Sequence, residues 1–363
     1  MSHVHNTETW KVVANPNIGP AILNGVAVVS ASDVWTVGNY IIGNTGSPSL
    51  TLTEHWDGTS WSVVPSPNVG TSGNRLSGVA AIAPNDVWAV GFSGNESTQQ
   101  TLIEHWDGTN WTIVPSPNIG TLDNMLSGVT AISMNDVWAV GAYIDSNASY
   151  QTLIEHWDGT NWSTVPSANV ASHGNLLNAV TAVSANDIWA VGTQGIGSTP
   201  QIQQTLTEHW DGTSWSVVPS PNVGTANNVL NGVTSFSSDE VWAVGTSSNI
   251  SINTGSTLIE RWNGKHWQVV HSPNAGTANN VLNGVAGFSD DNMWAVGSSS
   301  NDDLVGHTLI EHGHDKHWRV VASPNVGTAN NELNGVAVAP GAQNLWAVGY
   351  SSLPFQPLIE FYS

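Results

Sequence analysis

One cassette recurs seven times along the 363-residue chain, and this repetition restricts the fold more than any other feature of the sequence. Each copy passes through a Trp-Ser-Val-Val-Pro-Ser-Pro-Asn stretch, then Asn-x-Leu-Asn-Gly-Val, then Asn-Asp-Val-Trp-Ala-Val-Gly, then Thr-Leu-Ile-Glu-His-Trp-Asp-Gly, with small variations. The first Trp stands at positions 10, 61, 111, 162, 215, 267 and 318, at intervals of 50 to 53 residues. Within a copy the segments are short and rich in Val, Ile, Trp and Thr. Gly, Pro, Asn and Asp clusters separate them, so each reads as a strand and none as a helix.

In the second copy, residues 76–83 read as an innermost strand, where Gly78, Ala80 and Ala81 suit crowding near an axis. Residues 87–92 and 101–106 follow as second and third strands, and an Asp107-Gly108 turn leads to a fourth at 111–115. Four strands in about 50 residues is the length of one propeller blade. The expected fold is therefore all-β, a single seven-bladed β-propeller over residues 1–363. Its blades are placed near 23–65, 76–115, 126–166, 177–219, 230–271, 282–322 and 333–363 plus 9–14. The chain starts on a fourth-strand segment, 9–13, and stops on a third-strand segment, 357–362, so the two ends are expected to pair and close the ring.

The chain resembles bacterial tandem-repeat propellers of the broad kelch and WD-repeat kind over nearly its whole length. His-Trp-Asp-Gly at 55–58, 105–108, 156–159 and 209–212 is similar to the WD dipeptide that ends a third strand. Two departures stand out: the Gly-His pair of WD repeats is missing, and the kelch Gly-Gly is a single Gly, as at Gly91 and Gly141. The resemblance implies the architecture and not the partners, because propellers host many unrelated functions.

Composition removes several function classes. Six Lys and Arg stand against 27 Asp and Glu, a net charge of −21 that repels nucleic acid and anionic membrane surfaces. There is no cysteine, hence no disulfide, thiolate nucleophile or Cys-ligated metal. No apolar run approaches the roughly 18 residues that span a bilayer, so no membrane insertion is expected. Scarce Lys with abundant Gly, Ser, Thr and Asn favours a secreted or cell-surface protein over a cytoplasmic one, and a monomer is expected.

Subtracting the repeat isolates candidate site residues. All nineteen Trp fall on three repeated positions and read as packing between blades. A Glu recurs on every third strand, at 54, 104, 155, 208, 260, 311 and 360, on the face of its Leu and Trp neighbours. It reads as a buried fastener bonded to loop amides or to an indole of the next blade. Turn and pre-strand acids account for most of the rest. Seven are left over: Glu8, Glu96, Asp123, Asp145, Asp302, Asp303 and Glu332. The last six lie in loops that a propeller path places on one face.

Asp302, Asp303 and Glu332, with His307 beside them, are candidates for a calcium site in which the carboxylates supply the oxygen ligands, against the reading of a solvated acidic loop. Arg75 is the lone cation expected on that rim, beside unrepeated aromatics Tyr40, Phe92, Tyr143 and Tyr350, a ligand-stacking arc or loop drift. Asn74, Asn124, Asn175, Asn228, Asn280 and Asn331 precede the innermost strands, either shaping loops or facing a hydroxyl-rich ligand. A second polar ring follows at Asn24, Ser77, Ser127, Asn178, Asn231, Asn283 and Asn334. The run His312, His314, Asp315, His317 resembles metal ligands but falls at an outer turn, where surface drift is the simpler reading.

The leading expectation is a lectin-like binding protein for carbohydrate or another hydroxyl-rich ligand, using several equivalent sites. The alternative is a hydrolase or lyase with one site at the axial mouth, assisted by a cation. A glycosidase needs two carboxylates about 5–10 Å apart, and no such pair is identifiable from sequence.

Overall fold

The computed structural model describes residues 9–16, 18–43, 48–70, 73–95, 98–170, 173–196, 202–224, 227–249, 254–341, 343–353 and 355–363. Glu8 and Glu96 lie outside the described residues. Seven four-stranded antiparallel sheets are arranged as blades, and six of them follow the chain from innermost to outermost strand. Blade 2 comprises Gly73–Ala83, Asp86–Asn95, Thr98–Trp106 and Trp111–Ile113. The last strand is shorter than the sequence suggests because Pro115 has no N–H to continue the ladder. The corresponding innermost strands are Ala21–Ser30, Asn124–Ser133, His173–Ser184, Asn227–Ser237, Asn280–Ser289 and Asn331–Val338 in blades 1 and 3 to 7.

Blade 7 is assembled from both ends of the chain. Its outermost strand, Trp10–Val12, pairs with Gln356–Tyr362 in the register Trp10↔Tyr362, Lys11↔Phe361 and Val12↔Glu360. The ring is therefore closed by hydrogen bonds, as the end segments predict.

Packing between blades forms the core. Trp35 and Val37 of blade 1 meet Leu76, Val87, Ala89, Leu102 and Trp111 of blade 2, all buried, and equivalent clusters follow around the ring. Each such side chain removed from water contributes about 1.5–3 kcal/mol, so stability grows by repetition of one interface. The repeated single Gly of the second strand has a steric cause. A Cβ at Gly91 would collide with the carbonyl oxygen of Arg75 on the innermost strand, opposite a register shift between Leu76 and Gly78. The Asp-Gly turn is equally specific: Gly108 has φ 93°, and Asp107 Oδ1 accepts the N–H groups of Thr109 and Asn110 at 2.7 and 2.8 Å.

The seven third-strand Glu side chains are fully buried. For Glu208, Glu311 and Glu360 a partner is a serine hydroxyl from the loop after the preceding blade's outermost strand. Ser272 donates to Glu311 at 2.9 Å and Ser323 to Glu360 at 3.0 Å. In these blades the Glu joins two blades through a serine hydroxyl and, at Glu208, also through the Ala168 loop amide, one of the two partner types expected. A second repeated device lies near the outer edge: in blade 2, Asp86 accepts from Trp88 Nε1 at 3.1 Å and contacts His105 Nε2 at 2.8 Å.

Candidate functional site at the axial mouth

The residue before the buried Leu of each innermost strand occupies one position around the ring. Going round, it is Ile22, Arg75, Met125, Leu176, Val229, Val281 and Glu332. Five are apolar, while blades 2 and 7 carry opposite charges on either side of Ile22. Their second-strand partners break the pattern too: Arg75 pairs with Phe92 and Glu332 with Tyr350, where the other blades place Asn39, Ala142, Thr193, Thr246 and Ser298.

The residue after the same Leu builds a belt around the axis. Asn24 donates its amide to the Leu76 carbonyl of the next blade at 2.7 Å. Asn178 reaches Leu230 at 2.8 Å, Asn231 reaches Leu282 at 3.0 Å, Asn283 reaches Leu333 at 2.9 Å and Asn334 closes the circle on Leu23 at 2.7 Å. Ser77 and Ser127 interrupt this belt, because a hydroxymethyl group is too short to span the gap. Where it is interrupted, a cavity of about 290 Å³ opens, lined by Asn24, Arg75, Ser77, Phe92, Ser127 and Asn334, with Met125 and Leu126 as its apolar wall. Its walls come mainly from the innermost strands of blades 7, 1, 2 and 3, which places it at the axial mouth.

Arg75 is the charged group of this cavity. Its Nη2 donates to Asn24 Oδ1 at 3.1 Å, and among the described residues it forms no ion pair. The side chain is exposed toward the mouth yet flanked by protein, and this partial desolvation lowers its pKa from the ordinary arginine value. A guanidinium so placed has N–H donors left over for an incoming oxygen or carboxylate.

The aromatic arc is divided by strand alternation. Phe92 and Tyr350 stand four residues after their second-strand Trp, and Tyr40 and Tyr143 stand five after theirs. Accordingly Phe92 joins Arg75 in the cavity, while Tyr40 and Tyr143 pack against the hydrophobic layers between blades. Tyr350 donates its hydroxyl to Glu332 Oε2 at 2.8 Å, and burial together with that carboxylate pushes the phenol up to about 12.

Asn74, Asn124, Asn175, Asn228, Asn280 and Asn331 are at most 2% exposed. Asn124 shows their use: Oδ1 accepts from Ile119 N at 2.8 Å, and Nδ2 donates to the Ile119 and Leu122 carbonyls at 3.2 and 2.8 Å. Asn74, Asn228, Asn280 and Asn331 accept a loop N–H in the same way. Buried amides bonded in this way shape the loop that precedes the innermost strand.

The three carboxylates considered for calcium are not brought together. Asp302 Oδ1 accepts from Thr277 Oγ1 at 3.2 Å and Asp303 Oδ1 from Val305 N at 3.2 Å, both in one exposed turn of blade 6. Glu332 accepts from Asn283 Nδ2 at 3.0 Å as well as from Tyr350. Among the described residues no three His, Asp or Glu side chains converge as a metal-binding group. Asp123 and Asp145 serve loops: Asp123 accepts from Gln99 N, and Asp145 accepts from Asn147 N and Ser149 N.

No protein-family model matches the sequence, and no curated protein does. Solved structures do match. The fold is that of known propellers. A structure of YCF48 bound to D1 peptide is similar over 97% of this chain and 96% of its own, with a TM-score of 0.53 and 13% identity. A structure of YjhT is similar over 84% of this chain and 98% of its own, with a TM-score of 0.51 and 13% identity. Likeness at such identity extends to the fold alone. Among the described residues no helix is long and apolar enough to cross a membrane.

Proposed function

We propose that this propeller binds one small hydroxyl-rich ligand of the carbohydrate class per chain, in the axial cavity of blades 7, 1, 2 and 3. The observation that carries this reading is the Arg75–Phe92 pair, a cation and an aromatic ring on adjacent strands, at positions where only blade 7, with Glu332 and Tyr350, also departs from an apolar residue opposite a small or polar one. Phe92 offers an apolar face to ring carbons, Arg75 a fork of donors to hydroxyl or carboxylate oxygens, and Asn24, Ser77 and Ser127 further polar groups. Equivalent sites in every blade, the basis for multivalent binding, lose support because the repeated loop Asn are buried. That a structurally similar propeller is bound to a peptide makes a peptide the competing ligand to test.

The test is a glycan array, run with calcium and again with chelator, beside a peptide array, followed by calorimetric titration of any hit. One ligand per chain, with affinity reduced about tenfold or more by Arg75→Ala, a loss of about 1.4 kcal/mol, is the expected result. Several ligands per chain, or binding indifferent to both Arg75→Ala and Phe92→Ala, overturns the assignment to this cavity. Peptide hits without glycan hits overturn the ligand class.

A further inference from the structure

The outer hairpin of blade 6 departs from the repeat. In blades 2 to 5 the Trp at the end of the third strand donates its indole N–H to a carbonyl of the preceding turn, as Trp106 does to Pro84 and Trp262 to Ser238, both at 3.1 Å. Blade 6 has Gly313 at that position, and the neighbouring His314 contacts the Asp291 carbonyl through Nδ1 at 2.9 Å. A carbonyl can only accept, so Nδ1 carries the proton and, in the neutral ring, Nε2 keeps its lone pair. His317 is fixed in the same sense, with Nδ1 on the Asp315 carbonyl at 2.8 Å.

The two imidazoles belong together. His314 and His317 are Cα partners across a two-residue turn, Asp315 and Lys316, whose φ values of 49° and 66° are left-handed. Directly paired residues of an antiparallel ladder project from the same face. Both histidines are exposed and line one recess with His312 and Asn292. The Asp315 carboxylate lies 3.6 Å from His314 Nε2.

We propose that this turn is a site for a divalent transition-metal ion of the imidazole-preferring class, such as Zn²⁺, Ni²⁺ or Cu²⁺, held by Nε2 of His314 and Nε2 of His317. Metal-binding histidines characteristically donate their other ring N–H to a carbonyl, which is the arrangement of both rings. Two imidazoles supply half of a tetrahedral shell and water the remainder, with Asp315 adding nearby negative charge. His312 is otherwise engaged, with Nε2 on Asn292 Oδ1 at 2.9 Å.

The experiment titrates the full chain with Zn²⁺ by calorimetry and with Cu²⁺ by electron paramagnetic resonance, which counts coordinated nitrogens. The expected result is a site of one ion per chain with two imidazole nitrogens. His314→Ala and His317→Ala should each weaken that site by at least about tenfold, since even outer partners of a metal ligand are worth 10- to 100-fold. His3→Ala with His5→Ala should leave it intact. Should His314→Ala disturb the hairpin by losing its bond to Asp291, His317→Gln tests the same site with the hairpin bond retained. No binding, binding unchanged in both turn variants, or binding lost with His3 and His5 overturns the proposal.

Discussion

Ser167 Oγ of blade 3 lies 2.8 Å from Oε2 of Glu208 in blade 4, joining two blades through a carboxyl group that is fully buried. Burial pushes that carboxyl up from 4.5 to about 7. The same cause pushes Glu54, Glu104, Glu155, Glu260, Glu311 and Glu360 to about 8. A carboxyl raised in the folded state binds its proton more tightly there than in the unfolded chain. Its contribution is complete below about 4.5 and is lost as pH rises through 7 to 8. The melting temperature should therefore fall from pH 5 to pH 9. Growing net charge acts in the same direction, so the decisive comparison is with Glu104→Gln, whose neutral amide should flatten the decline. Parallel curves for the two proteins would refute the burial account.

Trp10 closes the ring. It is 6% exposed, with its ring 5.6 Å from Trp294 and 5.5 Å from Tyr362. Trp10→Ala should cost about 3–5 kcal/mol, the usual loss for a buried Trp. Deleting residues 1–15 should destabilise the whole ring, because it also exposes the edge at Gln356–Tyr362. Calorimetric melting curves measure both, and an unchanged midpoint after the deletion would show that closure is dispensable.

The interrupted Asn belt predicts a gain as well as a loss. Asn178→Ala leaves the Leu230 carbonyl without its side-chain donor and should destabilise by about 0.5–1.5 kcal/mol. Ser127→Asn should supply the missing bond to the Leu177 carbonyl, raise stability by a similar amount and occupy part of the cavity, weakening ligand binding. Chemical denaturation reads the first effect and the ligand titration the second. A destabilised Ser127→Asn protein would mean the gap is shaped by something other than side-chain length.

Asp86 holds both Trp88 and His105, so Asp86→Ala leaves two donors unsatisfied and should cost about 2–4 kcal/mol in denaturant melts. Asp86→Asn should cost less than half of that, since blade 6 already has Asn292 against His312 at 2.9 Å. Equal losses in the two variants would show that the carboxylate charge, and not the hydrogen bonds, is what matters.

The sequence by itself determined the number of blades, the order of strands within each, the placing of Trp on packing faces and the pairing of the chain's ends. These are consequences of short-range rules: strand alternation, turn chemistry and a repeat too short to be buried alone. Alternation also separates Phe92 and Tyr350 from Tyr40 and Tyr143, a distinction legible in spacing alone but concealed when four aromatics are grouped by loop. The tertiary structure decided which hydroxyl meets Glu208, that Asn74 and its equivalents turn inward, and that Arg75 reaches Asn24 in the neighbouring blade. It also decided that Ser77 and Ser127 leave an opening. Those outcomes depend on contacts between residues some 40 to 50 positions apart, such as Ser167 with Glu208 and Asn24 with Arg75. Their distances are set by how blades pack about the axis, a geometry that no local pattern of side chains encodes.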